Sequence, residues 1–320
     1  MNNLKITLIK FKMVVLIFFA VGLITGIITS CFSNDAQSDT NGSTKETVSS
    51  VMEKRPMIIW FQDIETGPEA LDLAISSGLF SHVLLEGVNY LDRQNYYTVP
   101  KFRQSLEVLR KHKDVKIIWC RWLYPGHKLD NFKFEDAFDA NYYVRQIRRI
   151  REEAKLMGAD FVAFDVEPYV KCPLLALPNR RIPEAKSNAI RDAIRTAVQS
   201  EGKVDFVLPA PFICQASLKH LYEATSEIGE DAIAEHTYRD VPKMRNDKRR
   251  PYDIFGAFVS VTKTDPNNPD TPFFTPREIL ERQELWSHKK GLLIFTGLYD
   301  NSISVAREFS KIGSVRPVKD

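Results

Sequence analysis

The stretch Phe161-Val162-Ala163-Phe164-Asp165-Val166-Glu167 settles the architecture of this chain. A strand sorts Val162, Phe164 and Val166 onto one face and Ala163, Asp165 and Glu167 onto the other, because successive side chains point to opposite sides. An apolar face of that kind has to be covered by helices. The residues just before it provide one, since Ala140–Met157 reads as an amphipathic helix with Gly158 standing past its end, where a left-handed cap is favoured. The opposite face carries two carboxylates, which a closed barrel would gather at its centre.

The same alternation of short apolar runs and amphipathic segments extends in both directions. Strands are predicted at Met57–Gln62, His82–Val88, Val115–Arg121, Phe161–Glu167, Val204–Ala210, Ile254–Val261 and Leu292–Gly297, with Ile233–Tyr238 a weaker eighth. Helices are predicted at Pro68–Ser77, Pro100–Lys113, Ala140–Met157, Pro183–Ser200, Ser217–Ile228, Pro276–Lys289 and Ser302–Ile312. The size and order fit a single α/β domain of the (β/α)8 TIM-barrel class over residues 55–313. A doubly wound open sheet is disfavoured, because Asp63-Ile64-Glu65-Thr66-Gly67 follows the first strand in place of a glycine-rich phosphate loop. The sixth crossover, Arg239–Asp253, lacks an apolar stripe and is expected to be irregular.

Composition narrows the partners. The chain has 320 residues, 44% hydrophobic, with 44 Lys+Arg against 41 Asp+Glu, 14 Gly and four Cys, which excludes collagen-like, disordered and disulfide-scaffold classes. The excess of positive charge comes from Lys5, Lys10 and Lys12, so the body is neutral and poorly suited to neutralising the phosphates of nucleic acid. After these lysines Met13–Ser30 is uncharged and mostly apolar, ending in Ile28-Thr29-Ser30-Cys31. Residues 1–30 therefore read as a signal peptide. The ending resembles the lipobox of bacterial lipoproteins, which implies a lipid on Cys31. An uncleaved membrane anchor is the other reading, because eighteen apolar residues just span a bilayer. Either places the body outside the cytoplasm at the cell envelope, with the membrane as a partner. Residues 31–54 are polar and small, expected as a disordered tether, and 314–320 as a tail. Among the remaining thiols, a bridge between Cys172 and Cys214 and three free thiols both stand open.

The chemistry is expected on the fourth strand. Asp165 and Glu167 both face inward, with Glu167 nearer the carboxyl end, where such barrels keep their active sites. Two carboxylates in a low-dielectric pocket cannot both ionise easily, and one becomes a general acid. Here the sequence resembles the chitinase-like (glycoside hydrolase family 18) and hyaluronidase-like retaining glycoside hydrolases. Their pattern Asp-x-x-Asp-x-Asp-x-Glu is matched by Asp160 to Glu167, with Ala163 at the middle Asp. The resemblance implies Glu167 as general acid and Asp165 as the residue that orients a substrate acetamido group. His236-Thr237-Tyr238-Arg239-Asp240 is similar to the Met-x-Tyr-Asp segment of the sixth strand in those enzymes, with one residue more, and points to Tyr238 as a substrate contact.

Sugar rings present apolar faces to aromatic side chains. Trp60, Trp119, Trp122, Tyr124, Tyr169 and Tyr299 fall at or after strand ends. One of Trp60 and Trp119 is expected in the core, while Trp122, Tyr124, Tyr169 and Tyr299 are groove candidates. Glu86 faces the same way as Leu84 and reads as a partner for Arg121 across the mouth, or with Glu235 as a candidate nucleophile. No cofactor is expected. His-Glu-x-x-His and Cys-x-x-Cys are absent, and a metal held by His127, His236, Asp165 and Glu86 is disfavoured because the histidines are scattered. The resulting expectation is a glycoside hydrolase-like barrel with a carbohydrate substrate. A non-catalytic carbohydrate-binding lipoprotein is the alternative suggested by Ala163, and a metal-independent lyase or isomerase is a third.

Overall fold

Period-two strands with one apolar face, each followed by an amphipathic helix, build the observed architecture in the computed structural model. The structure describes residues 56–61, 67–86, 100–124, 132–166, 184–209, 224–237, 254–262, 264–265, 268–287, 289–296 and 301–314. The chain divides into a first unit, Met1–Glu46, and a second, Thr47–Asp320, and every described residue belongs to the second.

The elements are β1 (Met57–Phe61), α1 (Pro68–Ser76), β2 (His82–Glu86), α2 (Pro100–Lys111), β3 (Lys116–Leu123), α3 (Ala140–Met157), β4 (Phe161–Val166), α4 (Glu184–Glu201), β5 (Val204–Pro209), β6 (Gly229–Thr237), β7 (Ile254–Phe258), β8 (Thr264–Asp265), β9 (Asn268–Pro272), α5 (Pro276–Glu281), β10 (Gly291–Phe295) and α6 (Asn301–Ser314). Eight of these strands close into a barrel in the order β1-β10-β7-β6-β5-β4-β3-β2, each pair parallel. The α/β (β/α)8 class is therefore the fold of the chain. The remaining strands, β8 and β9, form an antiparallel hairpin between β7 and α5.

Two apolar layers follow from the alternation. Val162, Phe164 and Val166 of β4 pack in the outer layer with Ile147 and Ile150 of α3, while Ala163 lies in the inner layer with Trp60, Ile118 and Leu208. The helix α3 contributes Tyr142, Tyr143, Ile147, Ile150, Ala154 and Met157 to the covered face, at spacings of one to four residues. Burying each large one is worth about 1.5–3 kcal/mol. Its end is fixed by Gly158 at φ 71°, a left-handed conformation that a side chain resists.

The amino ends of the strands are tied by one recurring device. Ser81 Oγ accepts the N–H of Met57 at 3.1 Å, Asp160 that of Ile117 at 2.9 Å and Asp205 that of Val162 at 2.7 Å. Each is a side chain near the start of one strand satisfying an N–H of the first or second residue of its neighbour. Asp160, the first residue of the acidic pattern, is therefore a clamp at the amino end. The Lys116 ammonium also reaches it at 3.0 Å.

The structure differs from expectation in several elements, and β6 begins four residues before the predicted Ile233. The predicted Pro276–Lys289 helix is split, because Arg282 leaves helical geometry at φ −100°, ψ 56° and a 3-10 turn follows at Gln283–Leu285. The strand β3 extends two residues past Arg121. The hairpin β8–β9 was not foreseen, since Thr264–Pro272 is dominated by Pro, Asn and Asp, which are depleted in strands. The leader, the tether, Cys31, the crossover at 239–253, the final tail from residue 315 and both Cys172 and Cys214 lie outside the described residues. Cys120 is buried in the inner layer. Among the described residues, no helix is long and apolar enough to cross a membrane.

Candidate active site

Asp165 is fully buried near the carboxyl end of β4, in register with Trp122 on β3 and Leu208 on β5. Leu208 belongs to the inner layer, as does Ala163 two residues earlier on the same face of the strand. The Asp165 carboxylate thus stands inside the barrel. A second carboxylate, Glu86, ends β2 in register with Cys120, another inner-layer residue. Its Oε2 accepts the indole N–H of Trp60 at 3.1 Å. The two acidic side chains lie on strands separated only by β3.

Trp122, expected beyond the strand as a groove residue, lies within β3 and is 4% exposed. Its register partner is Asp165, so it contributes to the wall around the carboxylate and not to a rim. Tyr124 also departs from expectation. It takes φ 64°, turns away from the barrel and packs in the outer layer with Tyr142 and Tyr143. The Tyr143 hydroxyl donates to the Ala137 carbonyl at 2.8 Å, which leaves its oxygen to accept from Tyr124 at 2.9 Å. Burial pushes the Tyr143 hydroxyl far above the usual tyrosine range, against the opposing hydrogen bond from Tyr124. Tyr124 is therefore a core residue.

The expected pairing of Glu86 with Arg121 is replaced by another. Arg121 is on the outer face of β3, where Nη1 meets Glu153 Oε1 of α3 at 2.8 Å. The same Glu153 accepts from Trp119 Nε1 at 3.0 Å and Arg149 Nε at 3.1 Å. Trp119 accordingly belongs to the outer layer and Trp60 to the inner one.

Across the barrel the interior is aromatic. Trp60 on β1 contacts Phe295 on β10 with ring centroids 4.5 Å apart, Phe295 meets Phe258 on β7 edge-on at 4.5 Å, and Phe258 stacks on Phe273 at 6.1 Å. In the closed order β10 lies four strands from β4, diametrically opposite it. The inner wall therefore holds carboxylates on β2 and β4, and a run of contacting aromatic rings on β1, β10 and β7. Phe258 and Phe273 were not among the residues singled out from sequence. Phe258 is signalled only by its inward parity with Gly256 and Ile254 at a strand end.

Glu167, Tyr169, Tyr238, Tyr299 and His127 lie outside the described residues, as do the side chains of Glu235 and His236. Among the described residues, no group of three or more His, Cys, Asp or Glu is gathered as a metal would require.

These features define a parallel (β/α)8-barrel protein with acidic side chains buried in its interior. No family model matches the chain, and no curated protein matches it. Among solved structures it is similar to an endoxylanase of family GH30 from Clostridium papyrosolvens, at 13% identity and TM-score 0.46, covering 82% of this chain and 72% of that one. It is also similar to an endo-beta-N-acetylglucosaminidase from Cordyceps militaris, at 8% identity and TM-score 0.42 over 85% and 97%. N-acetylneuraminate lyase from Fusobacterium nucleatum follows at 11% and 0.41 over 82% and 76%. Likeness at this level carries no argument about chemistry, and one barrel architecture hosts many reactions.

Proposed function

We propose that this protein is a glycoside hydrolase acting on an N-acetylated polysaccharide or glycan outside the cytoplasm, attached to the cell envelope through Cys31 or an N-terminal anchor. The observation that carries this reading is the complete burial of Asp165 on the inner face of β4, two positions before Glu167 in the sequence. Residues two apart on a strand share a face about 6.5–7 Å apart, a spacing that suits one carboxylate to the leaving oxygen and the other to the neighbouring substituent.

In this mechanism the acetamido oxygen of the substrate attacks the anomeric carbon as the glycosidic C–O bond breaks. Glu167 delivers its proton to the departing oxygen, and Asp165 holds the acetamide N–H in line. Water then attacks the anomeric carbon, its proton passes to Glu167, and the acetamide is released unchanged. No protein nucleophile is consumed, which accords with the lack of a carboxylate on β7 between Ile254 and Phe258.

A non-catalytic carbohydrate-binding role is the second reading, favoured by one observation. Ala163, where the resembled pattern has its middle Asp, is packed in the inner layer with no polar group to offer Asp165. Release of reducing ends from tetra- to hexasaccharides of N-acetylglucosamine, hyaluronan fragments and xylan separates the two. Hydrolysis supports the first, and binding without release supports the second.

A further inference from the structure

We propose that the amino end of the barrel is a docking face for an anionic lipid surface, whose phosphate headgroups it meets with a set of exposed lysine and arginine side chains. The proposal rests on the reading of the chain as attached to the cell envelope, and names the face that lies against the membrane.

The topology gathers positive charge at this end. The barrel strands are all parallel, so each intervening helix returns antiparallel to them and ends where the next strand begins. Helix carboxyl ends favour cations. Arg110 and Lys111 stand in the last turn of α2 and Lys155 in that of α3. Lys113, Lys203 and Lys290 lie past helix ends, in the segments leading to β3, β5 and β10. All six are exposed, and all but Lys290 make no ion pair with another described residue. The carboxylates nearby are mostly held by the body itself. Asp160 accepts from the Ile117 N–H and Lys116, Asp205 from the Val162 N–H, Glu201 from Arg148 and Glu227 from Arg195. Asp114 is exposed and offsets one charge. The first turns at the opposite end carry Glu69, Glu184 and Glu278 instead.

The chain also enters the barrel here. Pro56 precedes β1, and its carbonyl accepts the Leu292 N–H at 3.0 Å at the start of β10. Gly291, directly after Lys290, permits this approach, because a Cβ there would stand 2.9 Å from the Pro56 carbonyl oxygen. The sequence before this point, residues 31–54, reads as a tether to Cys31 or the apolar leader. A random-coil segment of that length spans about 25–30 Å, which holds the body close to the bilayer by its basic end. At such an effective concentration a modest electrostatic attraction suffices. Leu156, beside Lys155, is 67% exposed in the last turn of α3 and supplies an apolar contact at the same face. An acidic protein would match the charge, but the point of entry singles out the bilayer. Docked in this way, the barrel turns its carboxyl end, with Asp165, away from the membrane and toward glycans outside.

The test uses the full chain reconstituted into vesicles of phosphatidylcholine alone or with a quarter phosphatidylglycerol, with brominated acyl chains as a contact quencher. The four native tryptophans are at most 4% exposed, so quenching reads a tryptophan added at the surface. Leu156→Trp should be quenched on the anionic vesicles and not on the neutral ones, and about 0.5 M salt should release it. Arg277→Trp, in the first turn of α5 at the carboxyl end, should stay unquenched on both. In the Leu156→Trp background, Lys113→Glu with Lys203→Glu should return quenching to the neutral-vesicle level, and so should Lys111→Glu with Arg110→Glu, each with an unchanged thermal melt. Equal quenching of Leu156→Trp on the two vesicle types, or of Leu156→Trp and Arg277→Trp, would overturn the docking face. Flotation decides the reading beneath it. A chain that floats with neutral vesicles but shows no quenching keeps its attachment and loses this face. Salt-sensitive flotation with anionic vesicles alone keeps the face and removes the anchor, and flotation with neither removes both.

Discussion

Glu86 on β2 accepts the indole N–H of Trp60 on β1 at 3.1 Å, and both residues are 1% exposed. The bond links Glu86 to the run of aromatic rings inside the barrel, since Trp60 also carries the ring contact to Phe295. Removing the donor while keeping an aromatic ring should cost roughly 1–3 kcal/mol, the penalty for depriving a buried acceptor. Denaturant melts of Trp60→Phe, Glu86→Gln and the double variant measure it. A coupling energy near zero would contradict a bond of any consequence.

Arg121 and Glu153 form the most deeply buried ion pair among the described residues, their side chains 4% and 13% exposed. Glu153→Ala would leave the guanidinium uncompensated beneath α3 and should destabilise the barrel by about 3–5 kcal/mol. Arg149 shares the same carboxylate but is 41% exposed, so Arg149→Ala should be nearly neutral. Equal losses from the two substitutions in urea unfolding would refute this assignment.

Much of this arrangement was legible from sequence, and the failures have physical causes. The barrel and the inner face of β4 followed from period-two alternation, because a strand that is covered on one side must show its apolar residues at every second position. Trp122 and Tyr124 were misjudged because strand ends are set by pairing with neighbours. The β3–β4 pairing runs to Leu123 opposite Val166, which keeps Trp122 in the wall, and the left-handed turn at Tyr124 is accompanied by hydrogen bonds to the Tyr142 and Tyr143 hydroxyls. The reading of Glu86 as a partner for Arg121 overlooks parity, which puts Arg121 with Trp119 and Leu123 on the outer face. Phe273 gave no signal, since the contact that gives it meaning comes from a hairpin built of residues that disfavour strands.

The histidine at the amino end of the barrel predicts a pH dependence. Burial holds His82 below its ordinary value, Asp160 opposes this and Lys116 adds to it. The unfolded chain protonates this group near pH 6.5 and the folded one only at lower pH, so the unfolded state binds more protons between the two values. Stability contributed by neutral His82 is thus present above about pH 6.5 and lost as pH falls toward the depressed folded value. His82→Gln should flatten unfolding free energy against pH as pH falls below about 6.5. Identical slopes in variant and wild type would contradict the burial argument.

In the proposed mechanism Asp165 holds the acetamide and takes no part in the bond being cleaved. Asp165→Asn should therefore slow hydrolysis of N-acetylated oligosaccharides far more than that of any accepted substrate lacking the acetamide. Equal losses on both classes would point to a protein nucleophile, with Glu86 and Glu235 the candidates.

The central claim is that Glu167 is the proton donor of a glycosidase. Its direct test is kcat for Glu167→Gln on N-acetylglucosamine oligosaccharides, with binding followed by calorimetry. Loss of general acid catalysis predicts a fall of about 10²–10⁴-fold in kcat with Kd retained. Undiminished kcat in the Glu167→Gln protein would contradict it.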